Sequence, residues 1–340
     1  MADKTSGPGP SDVRITRSDL GRRVSVRRIT GMSDGRPVFA DTVGRLTSWD
    51  DGVLTVVGRD DQPVRIDEKA LVAAKAVPPP PVRRGDRAVA AHLAADRAEL
   101  QRTAGRGWPG VRTDRLGEWT LRAADGFTNR ANSVLPEGDP GIPLDQALDR
   151  VRDWYAGLGL PASVQVDPAD PLDAELEARG WTTHAPALFQ TAPLAPLVDD
   201  AAAAAAGVRL SREPGDGWLA RYRRMADPGL AGTALAVLSG GPSVWFATVP
   251  GAQGEPPAAI GRCVVDGRWA GLAALEVVPE RRRHGLARAV TAALARAAAD
   301  EGAELAYLQV EPDNSGALRL YERLGFRTHH RYHYRRQPGA

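Results

Sequence analysis

Cysteine is almost absent. Cys263 is the single one in 340 residues, which excludes an internal disulfide and any cysteine-based metal cluster. Lysine is nearly as scarce: only Lys4, Lys69 and Lys75 occur, so the basic charge is carried by arginine. A net charge of one sign is lacking too. The 44 basic residues face 42 acidic ones, so no bulk field argues for nucleic acid. No run approaches the roughly 18 apolar residues that a membrane span needs. The opening MADKTSGPGPSD has no apolar leader stretch. These absences predict a soluble, cytoplasmic protein without a membrane partner.

What is present is globular: 43% hydrophobic and 25% charged residues. At roughly 150 residues per domain, the length predicts two or three domains. Residues 1–12 form a Gly/Pro/Ser-rich tail, expected to be disordered. Residues 13–77 read as short strands at 22–28, 41–47, 52–58 and 63–66, with the hairpin signal Asp51-Gly52 between two of them. That pattern predicts a small SH3-like β-barrel. Four prolines open a stiff linker over 78–84. Residues 85–195 and 208–340 then read as two mixed α/β domains, joined by an Ala-rich linker at 196–207. Helices are expected at 85–105, 144–157, 172–179, 286–302 and 315–324. Strands are expected at 119–122, 132–135, 163–166, 208–211, 243–248, 258–265, 270–278, 305–310 and 329–335.

The two larger parts repeat each other. Gln165-Val166-Asp167-Pro168 matches Gln309-Val310-Glu311-Pro312, and a short helix follows each. Gly141 and Gly285 each precede the matching glutamine by 24 residues. Equal spacing at both ends of the unit argues for an internal duplication.

The second copy carries the chemistry. A strand runs into Pro279-Glu280-Arg281-Arg282-Arg283-His284-Gly285-Leu286-Ala287-Arg288, which opens a helix. In Arg282-x-x-Gly285-x-Ala287, a glycine turn aims several backbone N–H groups into one small volume, and the helix dipole stands behind them. This arrangement suits a pyrophosphate. Gly285 lets the backbone approach closely, and Arg282, Arg283 and Arg288 add side-chain charge.

Downstream lies Asn314-x-x-Ala317-x-x-Leu320-Tyr321-Glu322-x-x-Gly325-Phe326. Together, the two motifs resemble the GCN5-related N-acetyltransferase (GNAT) family over about 130 residues, 208–335. The resemblance implies an N-acetyltransferase that uses acetyl-CoA as a substrate, no metal, and an amine acceptor attacking directly in a ternary complex. By position it implies that Val277 and Val278 pair with the pantetheine arm. It further implies that Arg282, Arg283, Gly285, Leu286, Ala287 and Arg288 cradle the pyrophosphate and that Asn314 borders the CoA arm. Tyr321 matches the tyrosine that protonates the departing thiolate. A phenol near pKa 10 is protonated at neutral pH and suits that role.

An attacking amine must be neutral, so a base or a water chain is needed. Glu276 is the candidate. Strand alternation puts Glu276 and Val278 on one face and Val277 on the other. The same carboxylate would equally hold the substrate cation without taking its proton. Glu311 is the second candidate.

The first copy reads as a degenerate GNAT-like half. Pro140 and Pro143 stand in the corresponding loop and remove two donors, the arginines are missing, and Leu176 stands where Tyr321 stands. This half would pack against the active one. Trp119, Arg122, Phe127, Asn129, Arg130 and Asn132 are either pocket-facing or structural. His329, His330 and His333 predict a surface or substrate-lining strand rather than a metal site, since no carboxylate or cysteine accompanies them. Cys263 reads as a small core residue.

The whole arrangement resembles an actinobacterial group described as histone-type acetyltransferases, with an SH3-like barrel, a degenerate GNAT half and a C-terminal GNAT domain. That resemblance implies a protein lysine as one acceptor. Tandem GNAT enzymes for small amines share the architecture. A non-catalytic, acetyl-CoA-responsive binding module, with the barrel facing a protein partner, is the third reading.

Overall fold

The computed structural model describes residues 12–33, 35–58, 62–77, 94–225 and 227–339. The chain divides into two compact units, 1–82 and 83–340. Most of the expected tail, all of the 78–84 linker and the start of the helix expected at 85–105 lie outside the described residues. Asp12, assigned to the tail, instead opens a strand.

In the first unit, β1 (Asp12–Val13), β2 (Arg23–Ser33), β3 (Arg36–Asp50), β4 (Val53–Val57), β5 (Pro63–Asp67) and β6 (Leu71–Ala76) form one sheet. Its order is β1-β6-β2-β3-β4-β5. Asp51 and Gly52 turn β3 into β4 with φ of 50° and 74°, the left-handed pair that a tight hairpin needs. Val24, Val26, Leu46, Leu54, Val56 and Ile66 alternate inward as one core. No pairing joins β5 to β1 among the described residues, so the sheet is not closed into the expected barrel by strand pairing. The sequence reading placed no strand at β6, which pairs with both β1 and β2.

The second unit begins with α1 (Arg97–Gly107), β7 (Arg112–Leu116), β8 (Trp119–Ala123) and β9 (Leu135–Pro136). It continues through α2 (Leu144–Ala156), β10 (Ser163–Val166), α3 (Pro171–Ala178) and β11 (Thr182–Pro193). Then come α4 (Asp200–Ala205), β12 (Arg209–Ser211), α5 (Asp216–Arg221) and α6 (Ala231–Ser239). The last stretch is β13 (Ser243–Val249), β14 (Ala259–Asp266), β15 (Trp269–Val277), α7 (Leu286–Asp300), β16 (Leu305–Val310), α8 (Ser315–Arg323) and β17 (Arg327–Arg336).

Eight of these strands form one sheet in the order β10-β17-β11-β16-β15-β14-β13-β12. The related halves therefore exchange strands. The last strand of the chain, β17, lies between β10 and β11, while β11 lies between β17 and β16. The pairings are equivalent residue by residue. Val164 opposes Arg335 and Gln165 opposes Tyr334. At the corresponding positions, Leu308 opposes Gln190 and Gln309 opposes Phe189. After each short helix the same turn recurs: Trp181 donates to the Leu176 carbonyl at 3.0 Å, and Phe326 donates to that of Tyr321 at 2.9 Å. The repeat seen in the sequence is thus a repeat in register.

Both faces of this sheet are covered. On one, α7 packs Leu286, Val290, Leu294 and Ala298 against β14–β16. Its alanines let it lie close, and a Cβ at Gly261 on β14 would come within 2.5 Å of Val290. On the other, Leu100 and Ala104 of α1 meet Phe189, Tyr307, Tyr332 and Tyr334. That coverage overturns the expectation of a surface or substrate-lining histidine strand. His330 is buried, stacks on Phe189 at 4.7 Å, and is pushed down to about 3 by burial. His333 is buried against Asp173, 2.6 Å away. Cys263 is fully buried, and burial pushes its thiol up to about 12, which leaves it inert at neutral pH.

Candidate active site

The sheet splits where β15 leaves β16. These two strands run parallel from Trp269↔Leu305 to Leu272↔Leu308 and pair no further. The cause lies in β15. Ala273 opposes Arg262 and Glu276 opposes Ile260, so two residues, Ala274 and Leu275, stand against Gly261 alone. This bulge holds Ala274 at φ 52°, a strained value for a residue with a side chain, and it bends the strand away from its neighbour.

Beyond the bulge, the Val278 N–H donates to the Ala258 carbonyl at 2.9 Å, on the β14 side. Alternation then turns the backbone N–H and C=O of Val277 toward the gap. The Val277 carbonyl accepts from Arg282 Nε at 3.4 Å. The side chains of Leu275, Val277 and Val278 pack toward α7, while Ala273 and Ala274 pack on the opposite face.

The loop after β15 delivers the chain to α7 through two left-handed residues, Arg283 at φ 63° and Gly285 at φ 80°. The His284 ring meets the Arg282 carbonyl at 2.8 Å across this turn. Gly285 is the N-cap of α7, and no side chain caps the helix. The first-turn amides therefore have neither an intrahelical acceptor nor a side-chain acceptor. Arg282 and Arg283 stay exposed and pair with no carboxylate among the described residues. Arg288 does not fit the same picture: it is held by Asp199 at 2.7 Å.

On the same face, α8 starts at Asn314, whose Oδ1 accepts from the Ala317 N–H at 3.1 Å. The cap fixes the helix so that Ala317, Leu318 and Tyr321 lie against the core beneath α7. The Tyr321 ring is half-buried, edge-on to Phe326 at 5.6 Å. Burial pushes its phenol up to about 12. Its hydroxyl makes no hydrogen bond among the described residues.

The opposite face of the split carries Glu276. Its side chain is 14% exposed. It accepts from the backbone N–H and from Nε of Arg223, both at 3.3 Å. Arg224 reaches Glu311, past the end of β16, at 3.6 Å. The turn Arg223–Met225 thus spans from β15 to β16 across the gap. Tyr222 beside it is buried and packed on Trp218, with ring centroids 5.4 Å apart. Sequence reasoning passed over this turn, because nothing in its local pattern marks contacts that lie about fifty or more residues away.

Of the six first-half residues in question, Arg130 reaches the split, donating to Gln309 Oε1 at 2.7 Å. Trp119, Arg122 and Phe127 are buried, and Arg122 is bonded to Ser133 and Gln165. Asn132 ties its own loop, accepting from the N–H groups of Ala124 and Gly126.

The first-half loop that matches 282–288 is closed on itself. Asp139 N–H donates to Glu118, Gly141 N–H to Asp139, and Trp119 Nε1 to the Gly138 carbonyl at 2.9 Å. Pro140 packs on Gly117, and Pro143 is the N-cap of α2 with no amide hydrogen to offer.

Comparison with known proteins gives a consistent result. Residues 94–335 match the family described as "Probable histone acetyltransferase Rv0428c C-terminal". Over 330 residues the chain is 30% identical to the "Probable histone acetyltransferase Rv0428c" of Mycobacterium tuberculosis, covering 93% of this chain and 94% of that protein. It is 28% identical over 255 residues to the "Uncharacterized N-acetyltransferase YobR" of Bacillus subtilis, covering 71% of this chain and 98% of the relative. Among solved structures, a GCN5-related N-acetyltransferase from Kribbella flavida shares the fold. Its TM-score is 0.51 at 19% identity, over 72% of this chain and 96% of that one.

Proposed function

This chain belongs to the Rv0428c-type acetyltransferase family within the GCN5-related N-acetyltransferases, and from that premise we propose that it moves an acetyl group from acetyl-CoA to a primary amine across the β15–β16 gap. One observation carries this finer reading. The uncapped N-terminus of α7, with Gly285 left-handed at its start, opens beside the split in the sheet. Backbone donors with no acceptor, backed by a helix dipole and two unpaired arginines, are what a pyrophosphate requires.

The residues divide the work by face. Arg282, Arg283, Gly285, Leu286 and Ala287 hold the phosphates. Arg288 is tied to Asp199 and adds its charge from further back. Val277 and Val278 line the arm with backbone and apolar surface, and Asn314 stands at its border. Acetyl-CoA supplies an acyl group activated as a thioester. Tyr321, kept protonated by its burial, donates a proton to sulfur as negative charge develops there. On the other face, Glu276 receives the amine.

Two measurements test this reading. Calorimetry should give one acetyl-CoA per chain, because the first-half loop has two amides engaged by Glu118 and Asp139, prolines at 140 and 143, and no arginine. Two equivalent sites would overturn that assignment. Thiol release with a panel of amines and lysine peptides separates an enzyme for small amines, an enzyme for protein lysines and a non-catalytic acetyl-CoA sensor. Glu276→Gln then divides the roles left open for that residue. Loss of the acid limb of the pH–rate profile marks a base. A raised acceptor KM with the profile unchanged marks a carboxylate that only holds the cation.

A further inference from the structure

Two guanidinium groups lie over the Trp108 ring. Arg130 lies 4.4 Å and Arg262 5.0 Å from its ring centroid. Arg262 is the inner one, fully buried on β14, and its donors go to carbonyls: Leu238, Gly107 at 2.9 Å and Gly240 at 2.6 Å. Burial pulls its guanidinium down to about 10, and the like charge of Arg130 pushes the same way.

Arg130 is the outer one, half-buried on the loop between β8 and β9. Its Nη1 bonds Gln309, a neutral amide. That is one bond from a group with five donors. No acidic side chain pairs with it among the described residues. The two carboxylates at this end of the gap are already taken, Glu276 by Arg223 and Glu311 by Arg224. An indole face, an amide and a second cation leave the charge of Arg130 uncompensated in a partly desolvated place.

The position of that charge is informative. Gln309 is the first residue of β16 past the last pairing with β15, so Arg130 sits at the apex of the split. It lies on the face opposite α7, the face that also carries Glu276. The buried Tyr222 phenol lies within reach of the charges of Arg224, Arg130, Glu276 and Arg262, so Arg130 and Glu276 share one neighbourhood on this face.

We propose that the acceptor is a small zwitterionic amine, carrying its primary amine and a carboxylate on one molecule, with Arg130 binding the carboxylate while Glu276, whose two oxygens each accept one bond from Arg223 and keep further lone pairs, receives the ammonium. This rests on the acetyl-transfer reading above. A polycationic protein tail would bring only positive charge to Arg130, whose own charge no carboxylate offsets among the described residues, and like charges repel.

Matched acceptors test it: ω-amino acids from glycine to 6-aminohexanoate, each beside its carboxamide, with a lysine peptide as a further arm. Wild-type protein should prefer at least one acid over its amide by about ten- to a hundredfold in kcat/KM, as expected for a charged hydrogen bond. In Arg130→Ala that ratio should fall toward one, with acetyl-CoA affinity unchanged by calorimetry. Arg130→Lys should restore part of it. The proposal is overturned by equal use of acids and amides, by faster use of the lysine peptide than of any acid, or by an Arg130→Ala variant that keeps the ratio. Turnover of none of these acceptors while acetyl-CoA binds also overturns it, yet leaves the cofactor site standing. Failure of acetyl-CoA to bind wild-type protein would sink the acetyl-CoA reading itself.

Discussion

Gly285→Pro should abolish acetyl-CoA binding, with affinity falling by more than about a hundredfold. Two effects act together. Proline fixes φ near −65°, whereas residue 285 sits at 80°, so the turn cannot keep its path into α7. Proline also deletes an amide hydrogen from the group aimed at the pyrophosphate. Hydrogen bonds to a charged partner are each worth about 1.5–3 kcal/mol. Loss of one and displacement of its neighbours therefore removes at least about 3 kcal/mol, where about 1.4 kcal/mol is a factor of ten. Gly285→Ala is the graded control. It keeps the amide and carries only the left-handed penalty of about 1–2 kcal/mol, with open space around the added Cβ. Calorimetry reads both variants, and circular dichroism checks that α7 remains. An unchanged affinity in Gly285→Pro would put the phosphates somewhere else.

Tyr321→Phe should lower kcat by about 10²- to 10⁴-fold while acetyl-CoA affinity stays within a few-fold. The ring packs edge-on to Phe326, and phenylalanine keeps that contact. The hydroxyl makes no hydrogen bond among the described residues, so its removal orphans no partner and should leave the melting temperature almost unchanged. What disappears is a proton held on oxygen at every physiological pH. A loss confined to kcat identifies an interaction made as the thiolate leaves. Wild-type turnover by the variant, measured where chemistry is rate-limiting, would remove Tyr321 from the mechanism. Single-turnover kinetics secure that condition, since slow product release would hide a chemical defect.

The elements around α7 and α8 were legible because their signals are local. A strand, a glycine turn and an amphipathic helix write themselves into adjacent residues, and β10, β16, α2, α7 and α8 lie within two residues of where periodicity puts them. Strand β11 was missed for a physical reason. Pro186 interrupts its alternation where the register shifts between His184 and Ala187, so no clean period of two survives. The short helices α5 and α6 were missed as well, because Gly and Pro interrupt the stretch around them. The contacts on the face that carries Glu276 were barely legible. That of Arg130 with Gln309 joins residues 179 apart, and that of Arg223 with Glu276 joins residues 53 apart. Sequence periodicity carries no record of such pairs. The histidines show the same limit, since their exposure was decided by the helix and strands that cover β17.

The exchange of β11 and β17 also governs how the molecule comes into being. As the chain leaves the ribosome, β10 and β11 emerge well before β17, with which β10 pairs along its length. Ser163 must wait for Arg336. The first half cannot complete its sheet until β17 has been made, and its edges stay open until then. Long-range closure of this kind slows folding and exposes unpaired strands to neighbouring chains. Cutting the gene between the halves would therefore yield two fragments with unfinished sheets, each needing the other present during refolding.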